Sequence, residues 1–315
     1  MAVGVGFPTT FGHAEEVTYG TPLAATKWSE IISENLQISR EPIVKESLRR
    51  ASQSTTFQGI KAVAGEVNAE AFMEGQLRLF KHLFGAVADS TLEAGRFQHD
   101  FTFADTLPIG LTLEIGRPIQ GFRYHGAKIN TGDFSINVNE VLKVNLGFLC
   151  EDEEKFTVGA ATFPTERLIP FHQGVFTVAA VATDIDAFSM SIGNSLKGDR
   201  QKLGSELTKE PVRDGLREVT GEFSKDYETA DIAANYDKFT AMTDVALKLD
   251  FTGAVLLAGN YKWTLDLFRV KFGGVTPTVA GPGIMRLTIP FRALFDEAGA
   301  QDSVRLRIVN AEATT

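Results

Sequence analysis

The residues that could carry chemistry are few and scattered. The five histidines, His13, His82, His99, His125 and His172, have no i,i+4 partner and no cysteine at metal-ligand spacing, so they read as single satisfied or exposed side chains. Cys150 is the only cysteine and ends the apolar run Leu146 to Cys150, the setting of a buried thiol rather than a nucleophile. Asp184-Ile-Asp186 sets two carboxylates close together in a strand-opening loop, where Asp is an ordinary turn residue. The run Glu151-Asp-Glu-Glu-Lys155 lacks the ligands round a Gly turn that calcium requires, and reads as a solvated charged linker. Gly4-Val-Gly6 has no strand before it, and Pro8 blocks a helix after it, so it makes no dinucleotide loop. There is no G-x-x-x-x-G-K-[ST], G-x-S-x-G or H-E-x-x-H. Catalysis is not expected, nor is a cofactor or a metal.

The strongest pattern is a repeat. Gly59 to Glu70 reads G-I-K-A-V-A-G-E-V-N-A-E, and Gly215 to Asp226, shifted by 156 residues, reads G-L-R-E-V-T-G-E-F-S-K-D. Gly59 and Gly215 stand at a strand start, and Gly65 and Gly221 in its interior. No helix N-terminus lies between them, so a turn, a bulge or close backbone packing explains them better than phosphate binding.

The elements that position these blocks recur in the same order. Leu36-Gln37-Ile38 and Phe188-Ser189-Met190-Ser191-Ile192 alternate with period two and predict strands with one buried face. Polar loops without periodicity follow, Arg40–Gln58 and Gly193–Asp214. After each block comes one helix signal: Met73, Leu77, Phe80 and Phe84 in the first half, Ile232, Tyr236 and Phe239 in the second. Strands then align: Leu111–Ile115 with Leu247–Phe251, and Val144–Phe148 with Leu287–Phe291. The first half carries extra residues over roughly Gly85–Pro108, and the last strand, Val304–Ile308, presents Arg305 and Arg307 outward. The expected fold is mainly β with one helix per repeat (α+β), as two tandem β-sandwich or barrel domains, 1–155 and 156–315, arising from an internal duplication. Met1 to Pro22 shows no core pattern and reads as an extended arm.

Composition sets the outer bounds. A chain of 315 residues suits two such domains, and a net charge of −9 disfavours standing nucleic-acid binding, which needs basic residues to neutralise phosphate. One cysteine rules out an intrachain disulfide framework. The N-terminus has no signal-peptide pattern, and no run approaches the ~18 apolar residues of a membrane span, so folding in a cytoplasm and no membrane partner are expected. With 24 Phe against 2 Trp and 5 Tyr, the aromatics suit packed sheets more than a stacking surface.

The segment Gly12-His-Ala-Glu15-Glu-Val-Thr-Tyr19-Gly20-Thr21-Pro22 resembles the start of tail tube proteins of long, non-contractile-tailed (siphovirus-type) bacteriophages. Ser33-Glu34-Asn35-Leu36, the Arg40-Glu41-Pro42 step, Leu48-Arg49-Arg50, the glycine block and Ser191-Ile192-Gly193-Asn194 extend the resemblance over nearly the whole chain. It implies a structural virion protein, a β-sandwich or rolled sheet flanked by a helix, whose copies join into rings stacked as a tube. The tape-measure protein and then double-stranded DNA pass through without specific binding. Tail terminator and distal tail or baseplate proteins are the other implied partners, with assembly in the host cytoplasm. Such rings present six tube domains, so a duplicated chain implies three chains per ring, a homotrimer of pseudo-hexameric form. The polar loops would stack rings through Lys45, Glu46, Arg49, Arg50, Lys197, Asp199, Arg200, Lys202, Glu206, Lys209 and Glu210. Glu114 and Asp250 are candidates to face the lumen, and the arm would lie on a neighbour. The other readings are a β-sandwich binding module of adhesin or capsid-decorating type, a secretion-system tube protein, and an unrecognised enzyme.

Overall fold

The computed structural model describes residues 4–314 except 47, 50, 51, 54, 166, 275, 280 and 300. Residues 10–70 form β1 (Thr10–Glu15), β2 (Lys27–Ser29), β3 (Ser33–Glu34), β4 (Gln37–Arg40), the short β5 (Ile43–Val44) and β6 (Thr56–Phe57), and β7 (Lys61–Glu70). Helix α1 (Leu77–Phe84) precedes β8 (Gly85–Glu93), β9 (Arg96–Phe103), β10 (Leu111–Gly116), β11 (Gly121–Asn137), β12 (Lys143–Cys150) and β13 (Asp152–Phe156). Then come β14 (Gly174–Val178), β15 (Val181–Ala182), β16 (Ala187–Gly193), β17 (Leu196–Lys197), β18 (Val212–Arg213) and β19 (Glu218–Asp226). Helix α2 (Asp237–Thr240), β20 (Val245–Leu256), β21 (Gly259–Phe272), β22 (Arg286–Ala293) and β23 (Val304–Asn310) complete the order.

All the ladders are antiparallel, and they form two layers. One runs β4–β7–β12–β11–β16–β19–β22, with β3 continuing β4 along β7. The other runs β15–β14–β20–β21–β23–β9–β8. The layers bury their apolar alternates against each other. Phe176 of β14 meets Phe223 of β19 with ring centres 4.9 Å apart, and Trp263 of β21 meets Phe134 of β11 at 5.8 Å. The N-terminal part of the long β11 leaves the first layer and pairs with β10 and β13, and β10 continues to β1 and β2.

The pairing order β2–β1–β10–β11–β13 recurs as β15–β14–β20–β21–β23, and β4–β7–β12 recurs as β16–β19–β22. The additional stretch after α1 forms the β8–β9 hairpin, which adds to the edge of β23. Two ladders, β11–β16 and β9–β23, join the halves, and a single buried cluster runs through both.

Helix α1 behaves as its spacing predicts: Leu77, Phe80 and Phe84 are buried, with Met73 just before it. Gln76 ties its start to the end of β7, accepting from Phe72 N–H at 3.0 Å and donating to Glu70 C=O at 2.8 Å. Gly85 ends it at φ 110°, a left-handed value that glycine tolerates.

The second helix signal is only partly met. Ile232–Tyr236 winds as a wider π-helix before α2, which rotates its apolar residues outward: Ile232 is 48% and Tyr236 41% exposed, while Phe239 packs on the core. The inward positions go to Asp231 and Asn235, satisfied by each other at 2.7 Å and by Lys225 at 3.0 Å from Asp231. Two further expectations are corrected. The acidic run is strand β13 rather than an open linker, because β11 offers its edge to Asp152–Phe156. The N-terminal arm is not free as a whole: Phe11, His13 and Ala14 of β1 are buried in the core beside β10.

Candidate assembly surfaces

The first layer has one buried and one open face, and the open face is built by alternation. Val63 and Val67, Val144 and Phe148, Phe134 and Ile136, Phe188 and Met190, and Val219 and Phe223 point inward. Their neighbours point outward and line up in rows across the strands. One row is Asn68–Asn145–Asp133–Ser191–Thr220–Arg292, and the next is Glu66–Gly147–Thr131–Gly193–Glu218. Another is Glu70–Lys143–Ser135–Ser189–Glu222–Pro290. These rows hold no aromatic side chain, and Glu66, Glu218 and Glu222 are exposed. Glu66 and Glu222 follow the interior glycines of the two repeated blocks.

Those glycines serve close packing. A Cβ on Gly65 would sit 2.6 Å from Leu36 Cα, and one on Gly221 would sit 2.3 Å from Ser189 O. Gly59 lies against Glu41 O in the same way, at 2.0 Å, whereas Gly215 has Ser195 Cβ at 3.3 Å. The backbone approach expected from the repeat is present at all but the last.

Glu114 and Asp250 are not on the open face. β10 is covered on both sides, so its polar residues turn into a packed layer: Glu114 is 2% exposed and held by Arg123 at 2.9 Å. Asp250 is half-buried and accepts the Thr264 hydroxyl. Strand alternation places a residue on a face but does not say whether that face meets water. The alternation of the repeated block itself, Val63, Gly65, Val67 and Ala69 inward, was the signal that points to Glu66.

The two polar loops differ. In the first, β5 and β6 make a short ladder, with Lys45 N–H donating to Thr55 C=O at 2.9 Å. Lys45, Glu46 and Arg49 are exposed beside the fully exposed Leu48, and Arg50 lies outside the described residues. The second loop folds back. Its base is the β17–β18 ladder with Lys197 bonded to Asp214 at 3.1 Å. Arg200 donates to Glu210 C=O at 2.7 Å and accepts Lys209 N–H at 2.7 Å. Glu206 pairs with Arg40, its carbonyl takes Lys61 N–H at 2.8 Å, and Glu210 pairs with Lys128. Asp199, Lys202 and Lys209 remain exposed, around the bare apolar tip Leu203.

The N-terminal motif is structural. The Glu16 carboxylate is buried and accepts from Gly20 N–H (2.8 Å), Thr112 Oγ1 (2.9 Å) and Gly126 N–H (2.8 Å). Glu15 takes both oxygens to Lys81 Nζ at 2.9 Å and has His82 at 3.6 Å, and His82 together with the Lys81 ammonium holds it down to about 2. His82 and His13 lie beneath, and burial pushes both imidazoles below the usual histidine value, with Arg78 adding to the effect. Burial likewise pushes the Cys150 thiol up, so it is inert.

Among the described residues no group of three His, Cys, Asp or Glu is placed to hold a metal ion. No helix among them is long and apolar enough to cross a membrane. Compared with known families, residues 6–293 match the family model described as phage tail tube protein. No curated protein matches the chain.

Proposed function

This chain belongs to the phage tail tube protein family, structural components of the virion tail that assemble into a tube, and on that premise we propose a specific architecture for the tube. Copies join side by side so that the first layers form one continuous wall, and the rings stack into the conduit for the tape-measure protein and the DNA. The observation that carries this reading is the layer β4–β7–β12–β11–β16–β19–β22, which crosses both halves and keeps open one face with more acidic than basic side chains, Glu66, Glu70, Asp133, Glu218, Glu222 and Asp226 against Lys143, Arg286 and Arg292. Turned inward, that face is acidic on balance, with Arg292 beside Glu218 at 3.5 Å. Glu66, Asp133, Glu218 and Glu222 repel phosphate, so DNA slides without the counterion release that would retain it.

The two repeat units, 1–155 and 156–315, each supply one sixth of the wall, and three chains complete a ring of pseudo-sixfold symmetry. The recurring pairing order supports a duplication, and the β11–β16 ladder is the kind of junction that a ring repeats. The β8–β9 hairpin occurs once per chain, so the symmetry is threefold in strict terms. The loop tips around Leu48 and Leu203, with Lys45, Glu46, Arg49, Arg50, Asp199, Lys202 and Lys209, make the contacts between rings. Residues 4–9 before β1, with Phe7 81% exposed, are the part of the N-terminus left to lie on a neighbour. Rings close in the host cytoplasm, and the tail terminator and distal tail proteins cap the stack. Electron microscopy of the purified chain tests this: hollow stacked tubes are expected, and dispersed monomers under all assembly conditions would refute it.

A further inference from the structure

We propose that ring closure inserts residues 273–279 of one copy, as a strand, between its own β22 and the outer edge of residues 33–40 of the next copy. The proposal rests on the ring reading above and specifies its joint. The template lies inside the chain. β16 pairs with β19 on one side and with β11 on the other, from Thr131 opposite Gly193 to Asn137 opposite Ala187. Residues 33–40 stand to β7 as β16 stands to β19, from Ser33 opposite Asn68 to Arg40 opposite Lys61. On their far side, no strand among the described residues pairs with them. Ile192 on β16 is 0% exposed, whereas its counterpart Ile38 is 37% exposed.

The opposite end of the layer lacks the same strand. β12 is covered on its far side by Thr131–Ser135 of β11. Among the described residues, β22 is paired there only by Val270–Phe272 and by Gly273, whose N–H donates to Pro290 C=O at 2.7 Å. Gly273, Gly274 and Thr276 to Val279 form no strand, and all but Pro277 are exposed. The strand missing beside β22 and the strand missing beside residues 33–40 are one strand seen from two sides.

The internal register fixes the external one. Carried over, it sets Val279 opposite Ser33, Thr278 opposite Glu34, Thr276 opposite Leu36 and Gly274 opposite Ile38. Gly273 aims its N–H at β22, so by alternation Gly274, Thr276 and Thr278 aim theirs at the neighbour. Pro277, which has no N–H, faces its own β22 and costs the joint nothing. In the free chain the receiving edge is guarded. Leu36 N–H donates to Glu34 at 3.0 Å, and Leu36 C=O accepts from Arg117 at 2.8 Å and from the Tyr124 hydroxyl at 3.0 Å. Arg117 and Glu34 hold each other through two bonds of 2.8 Å. Closure exchanges these partners for Thr276, and the guard keeps the edge from pairing at random.

A cysteine pair tests the register. Ser33 and Val279 would form a non-hydrogen-bonded pair with Cα atoms about 4.5 Å apart, within disulfide range. The full-length S33C/V279C chain is assembled under reducing conditions, then oxidised and run on a denaturing gel. A ladder of linked chains is expected from assembled material and none from free chain. S33C/T278C, whose side chains fall on opposite faces, is expected to stay unlinked. Rings or tubes that form without S33C/V279C linkage, or that link equally through S33C/T278C, overturn the proposal. Wild-type chain that forms no ring at all removes the ring reading instead, and the joint with it. If the cysteine variant does not assemble, hydrogen exchange on wild-type tubes decides: the amides of Gly274, Thr276 and Thr278 should slow at least tenfold against free chain, and unchanged rates overturn it.

Discussion

Single side chains set the acid limit of this fold. His13 and His82 are held below the histidine value of ~6.5 by burial, so the unfolded chain binds their protons first. Stability is therefore full above that value and declines as pH falls through it. Glu15, held at about 2 by His82 and Lys81, adds a second loss as pH falls from the ordinary carboxylate range toward 2. Chemical denaturation at pH 7.5, 5.5 and 4 reads this: the midpoint should fall at each step, and a flat profile contradicts it. The fold also depends on the neutral amide of Asn194. Its amide donates to Leu83 C=O at 2.9 Å, capping α1, and to Ile129 C=O at 3.0 Å, while its oxygen accepts from Arg217 at 2.9 Å. Asn194→Ala removes a buried partner from both carbonyls and from Arg217 Nε, whose guanidinium keeps Ala104 C=O, and should cost about 2–4 kcal/mol in equilibrium unfolding. A loss below ~1 kcal/mol would mean that water replaces the amide.

At the scale of elements, the sheet depends on the close approach of its edge strand and on the guard over that edge. Gly65→Val drives a side chain into the Leu36 backbone, so residues 33–40 should lift from β7. The expected result is a soluble chain with ~2 kcal/mol less stability and no tubes; normal assembly would show the approach to be dispensable. Arg117→Gln releases the Leu36 carbonyl and its Glu34 partner, so light scattering should record a shorter assembly lag, and a longer lag contradicts the guard. Strands and their order were legible in the sequence because period-two alternation is local: the two glycine blocks and the strands after them stand where the repeat put them. The second helix was misread because Ile232 and Tyr236 fit an α-helical spacing that the π-turn breaks. Glu114 was misplaced because alternation along β10 cannot report that both of its faces are covered. The β1 strand was missed because Gly, His and Ala in Thr10–Glu15 carry no apolar signal until β10 supplies the partner edge.

For the whole molecule, shape and charge belong to the same face. Replacing Glu66, Glu218 and Glu222 together by Gln keeps the strands and removes three charges from each chain's open face. Tubes should still form. Translocation of DNA should slow, and DNA retained in tubes at low salt should rise, with the effect fading as salt screens it. Unchanged retention would place that face outside the lumen. The most direct measurement is the symmetry and orientation of the assembled tube, seen by electron microscopy at a resolution that separates β8–β9 from its surroundings. Three chains per ring are expected, with the hairpin repeating three times around a pseudo-sixfold wall and Glu66, Asp133 and Glu222 lining the bore. Six chains per ring, or the β4-to-β22 layer facing outward, would contradict this arrangement.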